Sequence, residues 1–525
     1  MANFKDLILL RDCSWRLLVA LVVINVSVFS YGWDNSIYST VQAMNSFQKK
    51  FGSYDDTRHK WDFTASDLAI LNSMGLPAKS VGAVLGYIFS EFMGRRISYI
   101  AMQTVAIAGT AVSDAATSYG QILAGRMLVQ CMVGWDNYLA PMFIAEIVPP
   151  QIRGAMVVVC VFMHVFGSFL CTIVTNGTKN YPGDASWQDP VLSGFAFPAF
   201  TILFCWLIPE SPRWLVRKGK KGRAVRWLNT LNGSKPGYGA EQEATLLQAA
   251  IDRDMEMKGR WIDLLKGVNR RTMIAVVSGA FNQLTGQSFV SQYGAIFVKS
   301  FNRMDPFVYR VISAAITCAG PIVVFTCVDI VGRRPIYSVA GSIATGLLLA
   351  IGALGTGHVT GQRADAIIAC SAPFAMFYIM SFGSIAAITG AEVPHLRLRD
   401  KTSFLVYFTH FVCDFLVTFT YPYLFDAERA NLGAKVGFIY GTFGVLAIVW
   451  AFFHLPELTG RSLEEVDEMF EERVPVRKFK TWKSSNAHTM VTDLETQVDH
   501  SRDSDIEQAE SKNSATLHVE DKDSR

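Results

Sequence analysis

The sequence predicts an all-α membrane protein with twelve transmembrane helices in two pseudo-symmetric halves of six. Three observations predict it. The 525 residues are 50% apolar and only 18% charged, where a soluble chain carries roughly a quarter. One polar segment, from Pro209-Glu210-Ser211-Pro212-Arg213-Trp214-Leu215 to Arg271, interrupts an otherwise apolar chain and holds 14 Lys/Arg against 7 Asp/Glu. The parts on either side of it repeat each other. Glu91-Phe-Met-Gly94-Arg95-Arg96 returns as Asp329-Ile-Val-Gly332-Arg333-Arg334, Glu146 with Arg153 returns as Glu392 with Arg399, and Pro209-Glu210 returns as Pro456-Glu457. Three matches in one order at nearly one spacing point to duplication. Parallel repeats about an axis along the membrane normal are a known membrane-protein architecture.

The elements follow in order. Residues 1–14 are a short start. The first half (15–208) places spans near 15–40, 68–90, 97–116, 120–143, 154–175 and 191–208. The first run is long, follows Arg11 and Arg16 and lacks a small-residue cleavage site, so it reads as a span and not a signal peptide. The polar insert, 209–271, contains a helix-forming run from Ala240 to Met257. The second half (272–456) places spans near 272–297, 307–328, 335–356, 365–390, 401–424 and 436–456. Each is close to the roughly 20 residues that a bilayer demands. The tail, 457–525, opens with amphipathic Leu463-Glu464-Glu465-Val466-Asp467-Glu468-Met469-Phe470 and is Ser/Asp/Glu/Lys-rich from about Ser484, a composition that predicts disorder.

Twelve spans put both termini on one side, together with the basic insert, Arg95/Arg96, Arg153, Arg333/Arg334 and Arg397/Arg399/Lys401. The positive-inside rule makes that side the cytoplasm. The 41–67 loop and the loops near 176–190, 298–306, 357–364 and 425–435 then face outward. Asn176-Gly177-Thr178 is a glycosylation acceptor pattern in an outward loop; Asn232-Gly-Ser has the same pattern in the cytoplasmic insert, where it should be unused. The net charge of +3 is too small to imply a nucleic-acid partner. The nine cysteines show no paired spacing, so neither a disulfide framework nor a metal site is expected. No nucleophile–base set is visible, so no enzyme is expected and no cofactor.

Polar residues inside the spans mark the candidate site. Asp34 lies in span 1, Arg126 near the outer end of span 4 and Asp136 near its middle. A charge at a helix centre in hydrocarbon costs about 2.5–3.5 kcal/mol even on insertion scales. Such groups pair or line a wet cavity. An Asp–Arg couple can switch, since protonating the acid releases the base; the alternative is a fixed pair that only holds two spans together. Gly134-Trp135-Asp136-Asn137 repeats Gly32-Trp33-Asp34-Asn35, and the sequence gives no reason for it. Span 7 runs Asn282-Gln283-Leu284-Thr285-Gly286-Gln287-Ser288-Phe289-Val290-Ser291-Gln292-Tyr293, with seven amide or hydroxyl residues in twelve positions, Tyr293 left out of the count. Uncharged amides that donate and accept suit a neutral polyhydroxylated ligand; interhelical glue is the alternative. A third set sits at the cytoplasmic span ends: Glu91, Arg95, Arg96, Glu146, Arg153, Glu210 and Arg213 in one half, Asp329, Arg333, Arg334, Glu392, Arg399 and Glu457 in the other. Opposite charges there can latch the halves shut.

These motifs resemble the sugar porter branch of the major facilitator superfamily over roughly residues 15–470. They are Gly-Arg-Arg after spans 2 and 8, Glu146…Arg153, Pro209-Glu-Ser-Pro-Arg-Trp-Leu, Gln283…Gly286 and Pro456-Glu-Leu-Thr-Gly…Leu463-Glu-Glu. Thr285-Gly286-Gln287-Ser288-Phe289-Val290-Ser291 and Leu398-Arg399-Asp400-Lys401-Thr402 look like fungal members, including the α-glucoside permease group. The resemblance implies alternating access, a central sugar site and function as a monomer in the plasma membrane. It implies proton coupling through Asp34 with Arg126, the proton being the coupling ion. It implies sugar contacts from Tyr31, Asn282, Gln283, Gln287, Ser288, Tyr293, His410 and Phe411, with Tyr293 in an outer aromatic gate. Departures open the pocket: Val161 stands where span 5 usually supplies a Gln, with His164 nearly a turn on, and Ala387 where span 10 usually supplies a Trp. Glu91-Phe92 replaces an Asp-Arg, and Asp136, His410 and Asp414 add ionisable groups. The expectation is import of a neutral hexose or disaccharide with protons. An uncoupled facilitator, a non-transporting sugar sensor and a carrier of a non-sugar polyol or metabolite are the alternatives.

Overall fold

The computed structural model describes residues 14–482 except 57–58, 149, 233–238, 257–261, 263–268, 358–359, 396–397, 427–429, 460–462 and 480. The tail expected to be disordered therefore lies outside the described residues, as do the side chains of Arg153, Asp329 and Arg399.

In the first half, α1 (Trp15–Val41) starts where the Ser14 hydroxyl accepts the Leu17 N–H. It is followed by α2 (Asn45–Phe51) and a short hairpin, β1 (Ser53–Asp55) paired antiparallel with β2 (Lys60–Asp62). Then come α3 (Ala65–Ser73), α4 (Gly75–Met93), α5 (Arg95–Asp114), α6 (Tyr119–Ile147), α7 (Pro150–Thr178), α8 (Ala185–Ser193) and α9 (Ala196–Phe204). The insert folds as α10 (Pro212–Arg217), α11 (Lys221–Asn232) and α12 (Ala240–Glu256), held together by Trp214, Leu215, Val216, Ala224 and Ile251. The second half continues with α13 (Asn269–Leu284), α14 (Gln287–Phe301), α15 (Pro306–Val331), α16 (Arg333–Leu354), α17 (Gly361–Tyr378), a π-helical turn (Ile379–Gly383), α18 (Ser384–Glu392), α19 (Arg399–Phe425) and α20 (Val436–His454). The residues beyond 459 form a separate unit with α21 (Leu463–Glu471), where Val466 and Met469 are buried and Phe470 meets the edge of Phe479 at 5.1 Å.

Among the described residues nine helical stretches are long and apolar enough to cross a membrane. The expected spans at 97–116, 120–143 and 272–297 fall outside that set for a physical reason. Their polar residues turn inward: Gln103 is fully buried, and Arg126 and Asp136 are 3% and 1% exposed. The third is also not one helix. Gly286 has φ +85°, a left-handed backbone that stops α13 and starts α14, and a Cβ there would lie 2.7 Å from the Tyr440 ring.

Most of the apolar core is divided as the repeat predicts, while a smaller cluster joins Phe29, Trp33 and Ile37 to Ala295 and Phe307. One cluster draws its buried residues from Leu17 to Leu231, another from Phe289 to Leu455. Within the first half, small residues let backbones touch. A Cβ on Gly82 would sit 1.8 Å from the Cys131 carbonyl, on Gly134 1.8 Å from that of Lys79, and on Gly32 1.9 Å from that of His164. In lipid, where helix association depends on packing, such contacts replace the hydrophobic effect.

Candidate functional site

The charged motifs at the insert end build the same device twice. In half one the Glu210 carboxylate accepts the Arg95 N–H at 2.8 Å, capping α5 from the far end of the half. In half two Glu457 accepts the N–H groups of Arg333 and Arg334, both at 3.0 Å, capping α16. The preceding glycines, Gly94 and Gly332, have φ +92° and +99°, and a Cβ on either would meet the capping carboxylate at 2.6 Å. Arg95 holds Glu146 through two bonds of 2.8 and 2.7 Å, and Arg333 reaches Glu392 at 3.1 Å. Arg96 donates to the Trp206 carbonyl at 2.6 Å, and Arg334 to that of Phe452. Glu91 pairs with Arg217 and, at 3.9 Å, Lys218, while Arg213 lies exposed on α10. These bonds lie within each half. Among the described residues the expected latch of acid on base across the halves is not formed here: Glu91, Glu146, Glu210, Glu392 and Glu457 each meet a base or helix terminus on their own side of the repeat.

Bonds between the halves gather at the opposite, loop end. Gln42 Nε2 donates to the Gln292 carbonyl at 2.7 Å, and Lys299 to the Ala43 carbonyl at 2.9 Å and Gln48 Oε1 at 2.8 Å. Arg310 donates to Ser39 at 3.0 Å, and Lys179 pairs with Asp305. Tyr293 is fully buried there, its hydroxyl on the Thr418 carbonyl at 2.8 Å and its ring stacked on Tyr421. Asn176, the glycosylation candidate, is half-buried near the end of α7 and accepts from Lys179 at 2.9 Å.

The centre draws on both halves. On α19, His410, Asp414 and Thr418 share one face at helical spacing. Gln283 Nε2 lies 3.1 Å from His410 Nε2, an amide N–H donating to the bare ring nitrogen, and Ser288 donates to Asp414 Oδ1 at 2.6 Å. Asn282 is tied into its own half: it accepts from Tyr378 at 2.6 Å and donates to the Gly383 carbonyl in the π-helical turn at 3.4 Å. That bond pattern is the interhelical role, whereas Gln283 Oε1, Ser291 Oγ and Gln292 Oε1 are buried without partners among the described residues. Gln287 is half-buried, and Phe411 lies beside His410 with ring centres 5.6 Å apart. From half one, Tyr31 packs on His164 with ring centres 4.0 Å apart. Val161 is exposed, so His164 and not the family's Gln position is the polar group that α7 brings to Tyr31.

Asp34 is 7% exposed, beside the backbone of Gly194. The expected ion pair with Arg126 is not formed among the described residues. The guanidinium lies instead 4.6 Å from the ring centre of Tyr38, one turn beyond Asp34, and its Nε and Nη1 have no partner.

Two features were missed by the sequence reading. The first is Lys79, in the second turn of α4, 7% exposed and without a hydrogen bond or ion pair among the described residues. Its helix packs against α6, which carries Arg126, and against α19, which carries His410 and Asp414. A lysine inside an apolar span was a readable signal. The second is the meaning of the repeated Gly-Trp-Asp-Asn. Gly32 touches α7 and Trp33 packs on Phe197 of α9; Gly134 touches α4 and Trp135 donates to Ser98 of α5 at 2.9 Å. Span 1 thus meets spans 5 and 6 as span 4 meets spans 2 and 3, the arrangement of a three-plus-three inverted repeat within one half. Asp136, the counterpart of Asp34, accepts from Ser27 at 3.0 Å, and Ser27 in turn accepts from Gln103 at 2.7 Å.

Comparison with known proteins agrees with this architecture. The family described as "Sugar (and other) transporter" matches residues 19–470. The hexose transporter HXT10 of Saccharomyces cerevisiae is 27% identical, covering 90% of this chain and 89% of its own. The general alpha-glucoside permease of Saccharomyces cerevisiae is 26% identical over 95% of this chain and 82% of its own. The solved structure of the proton:xylose symporter XylE, bound to 6-bromo-6-deoxy-D-glucose, superposes with a TM-score of 0.70 at 20% identity, covering 86% of this chain and 98% of that one. That likeness gives the fold; the family match gives the membership. The chain belongs to the Sugar (and other) transporter family, as a multi-pass membrane transporter of the major facilitator fold and not an enzyme.

Proposed function

We propose that the protein is a proton-coupled symporter that imports a sugar, or a close polyhydroxylated relative, across the plasma membrane by alternating access, with both termini in the cytoplasm. The observation that carries this is the pair Asp34 and Arg126: buried on separate helices and not joined to each other. A carboxylate so placed gains or loses a proton according to what the moving halves bring near it. The partnerless amide and hydroxyl atoms of Gln283, Ser291 and Gln292 support a ligand with many hydroxyls. The names of the relatives support the same class, one a hexose transporter, one an alpha-glucoside permease and one a proton:xylose symporter. Asp34 is the proton carrier, Arg126 modulates it, and Tyr31, Gln283, Gln287, Ser288, His410 and Phe411 surround the solute. The unit of transport is the single chain.

Uptake of a labelled sugar panel in transporter-null cells, with and without a protonophore, tests the reading. Accumulation against the gradient that a protonophore abolishes is the expected result. Equilibration indifferent to the protonophore replaces the symporter with a facilitator. Absence of flux, with the protein at the surface and its sugar response intact, replaces it with a sensor.

A further inference from the structure

Lys79 is a cation that the fold leaves without an anion. Its α4 backbone is pressed against α6 at Gly134, so the whole helix cannot draw away from the centre. The side chain is 7% exposed and makes no hydrogen bond or ion pair among the described residues. The acids inside the spans are otherwise placed. Asp414 Oδ1 accepts from both Ser288 at 2.6 Å and Thr418 at 3.1 Å, Asp136 Oδ1 accepts from Ser27, and Asp34 lies beside Gly194. Asp414 stands across the halves on α19, which packs against α4, and makes no ion pair with Lys79 among the described residues. Arg126, the other central cation, has the Tyr38 ring face for company, whereas Lys79 makes no cation–aromatic contact among the described residues. A cation inside a span without a counter-charge beside it is costly, and such groups mark solute or ion pathways. A neutral sugar would satisfy the amides of Gln283 and Gln292 and still leave this cation uncompensated.

We propose that the central site takes a polyhydroxylated solute bearing one carboxylate, a sugar acid, and that Lys79 is the cation on which the carboxylate docks. The hydroxyls meet the amides and hydroxyls of α13 and α14 from half two, and the carboxylate meets Lys79 from half one. The solute then bridges the halves, which ties its binding to their relative movement. The sequence-based expectation of a neutral ligand rested on span 7 alone; Lys79 adds the charge that span 7 lacks. The inference rests on the transport reading above.

The experiment uses the full chain, in transporter-null cells and purified in proteoliposomes, with D-galacturonate and D-gluconate against D-galactose and D-glucose. Wild type is expected to take up at least one acid with an apparent constant about tenfold or more below that of its neutral parent. Lys79→Gln should raise the constant for the acid about tenfold to a hundredfold and leave that of the neutral parent unchanged, while Lys79→Arg, which keeps the charge, should retain most of the preference. Thermal-shift stabilisation of the purified protein by each probe gives the same comparison without transport. If wild type prefers the neutral hexoses, or if Lys79→Gln weakens acid and parent equally with normal surface expression, the docking role is wrong and the transport reading stands. If no polyol of either kind moves or stabilises wild type, the transport reading itself fails.

Discussion

Asp34 and Asp136 occupy equivalent places in two copies of the same four-residue phrase, yet their surroundings differ. Asp136 is held by Ser27, which is held by Gln103. Asp34 faces the backbone at Gly194, with Tyr38 rather than Asp34 meeting Arg126. Asp34→Asn, nearly isosteric and unable to titrate, should abolish concentrative uptake while substrate still stabilises the purified protein against heat. Uptake at several external pH values is the check, and an unchanged pH profile with accumulation intact would transfer the role to Asp136 or Asp414. At Gly134 the prediction is mechanical. A methyl group placed 1.8 Å from the Lys79 carbonyl forces α4 and α6 apart, so Gly134→Ala should cost about 1–3 kcal/mol and lower the melting temperature in detergent; an unaltered melt would show that this contact tolerates more space than the backbone gives it. Asp34, Arg126 and the span-7 amides were legible in the sequence because charge and amide density inside an apolar run stand out. The Asp34–Arg126 separation was not, because which residue a long guanidinium meets is fixed by neighbours such as Tyr38 that carry no charge.

Among elements, the paired caps explain why Pro-Glu follows the last span of each half. Each glutamate closes the N-terminus of a helix that begins over a hundred residues earlier, and so locks the end of its half to its middle. The free N–H groups of a helix start favour an anion. Glu210→Ala and Glu457→Ala should each cost about 0.5–2 kcal/mol, and Gln at either position, which keeps one acceptor oxygen, should recover part of it; thermal melting of the four variants checks this. Equal melts for Ala and wild type would remove the cap from the account. The sequence showed the repeat of these motifs but suggested a latch between halves, since like spacing says which residues correspond and not which ones touch. Span 7 shows the same limit: its polarity was legible, but not its break at Gly286. Nor was the division of labour inside it, with Asn282 bonded to Tyr378 and Gln283 keeping a free carbonyl oxygen. Gln283→Ala should raise the apparent substrate constant by up to about tenfold, the worth of one neutral hydrogen bond of roughly 0.5–1.5 kcal/mol, with surface expression unchanged. Failure to reach the membrane instead would assign Gln283 to packing.

For the whole molecule, the loop end is the closed end, and its bonds between halves set what must break when the site opens there. Burial pushes the Asp305 carboxyl up, but the bonds from Lys179 and from the Phe307 and Val308 N–H groups outweigh it and hold the carboxyl below the usual carboxylate range. An acid held low in the closed state stabilises that state at ordinary pH and loses its contribution only as pH falls through the lowered value. Lys299→Ala combined with Asp305→Asn should therefore open the loop end at neutral pH, seen as a longer distance between spin labels placed on Tyr54 and Arg363, and an unmoved distance would place the closing energy elsewhere. Opening and closing also move charge, which separates the two classes of solute. One proton with a neutral sugar carries a unit charge inward, worth about 2.3 kcal/mol per 100 mV, or roughly fiftyfold in the gradient reached. One proton on Asp34 with a monoanion docked at Lys79 carries none. In proteoliposomes with a fixed pH gradient, and a potential set by potassium and valinomycin, accumulation of the sugar acid should not change with potential, while any neutral hexose carried should follow it. A full unit-charge dependence for the acid would mean that more than one proton accompanies it. Asp136, as the inverted-repeat counterpart of Asp34, would then be the second group to substitute.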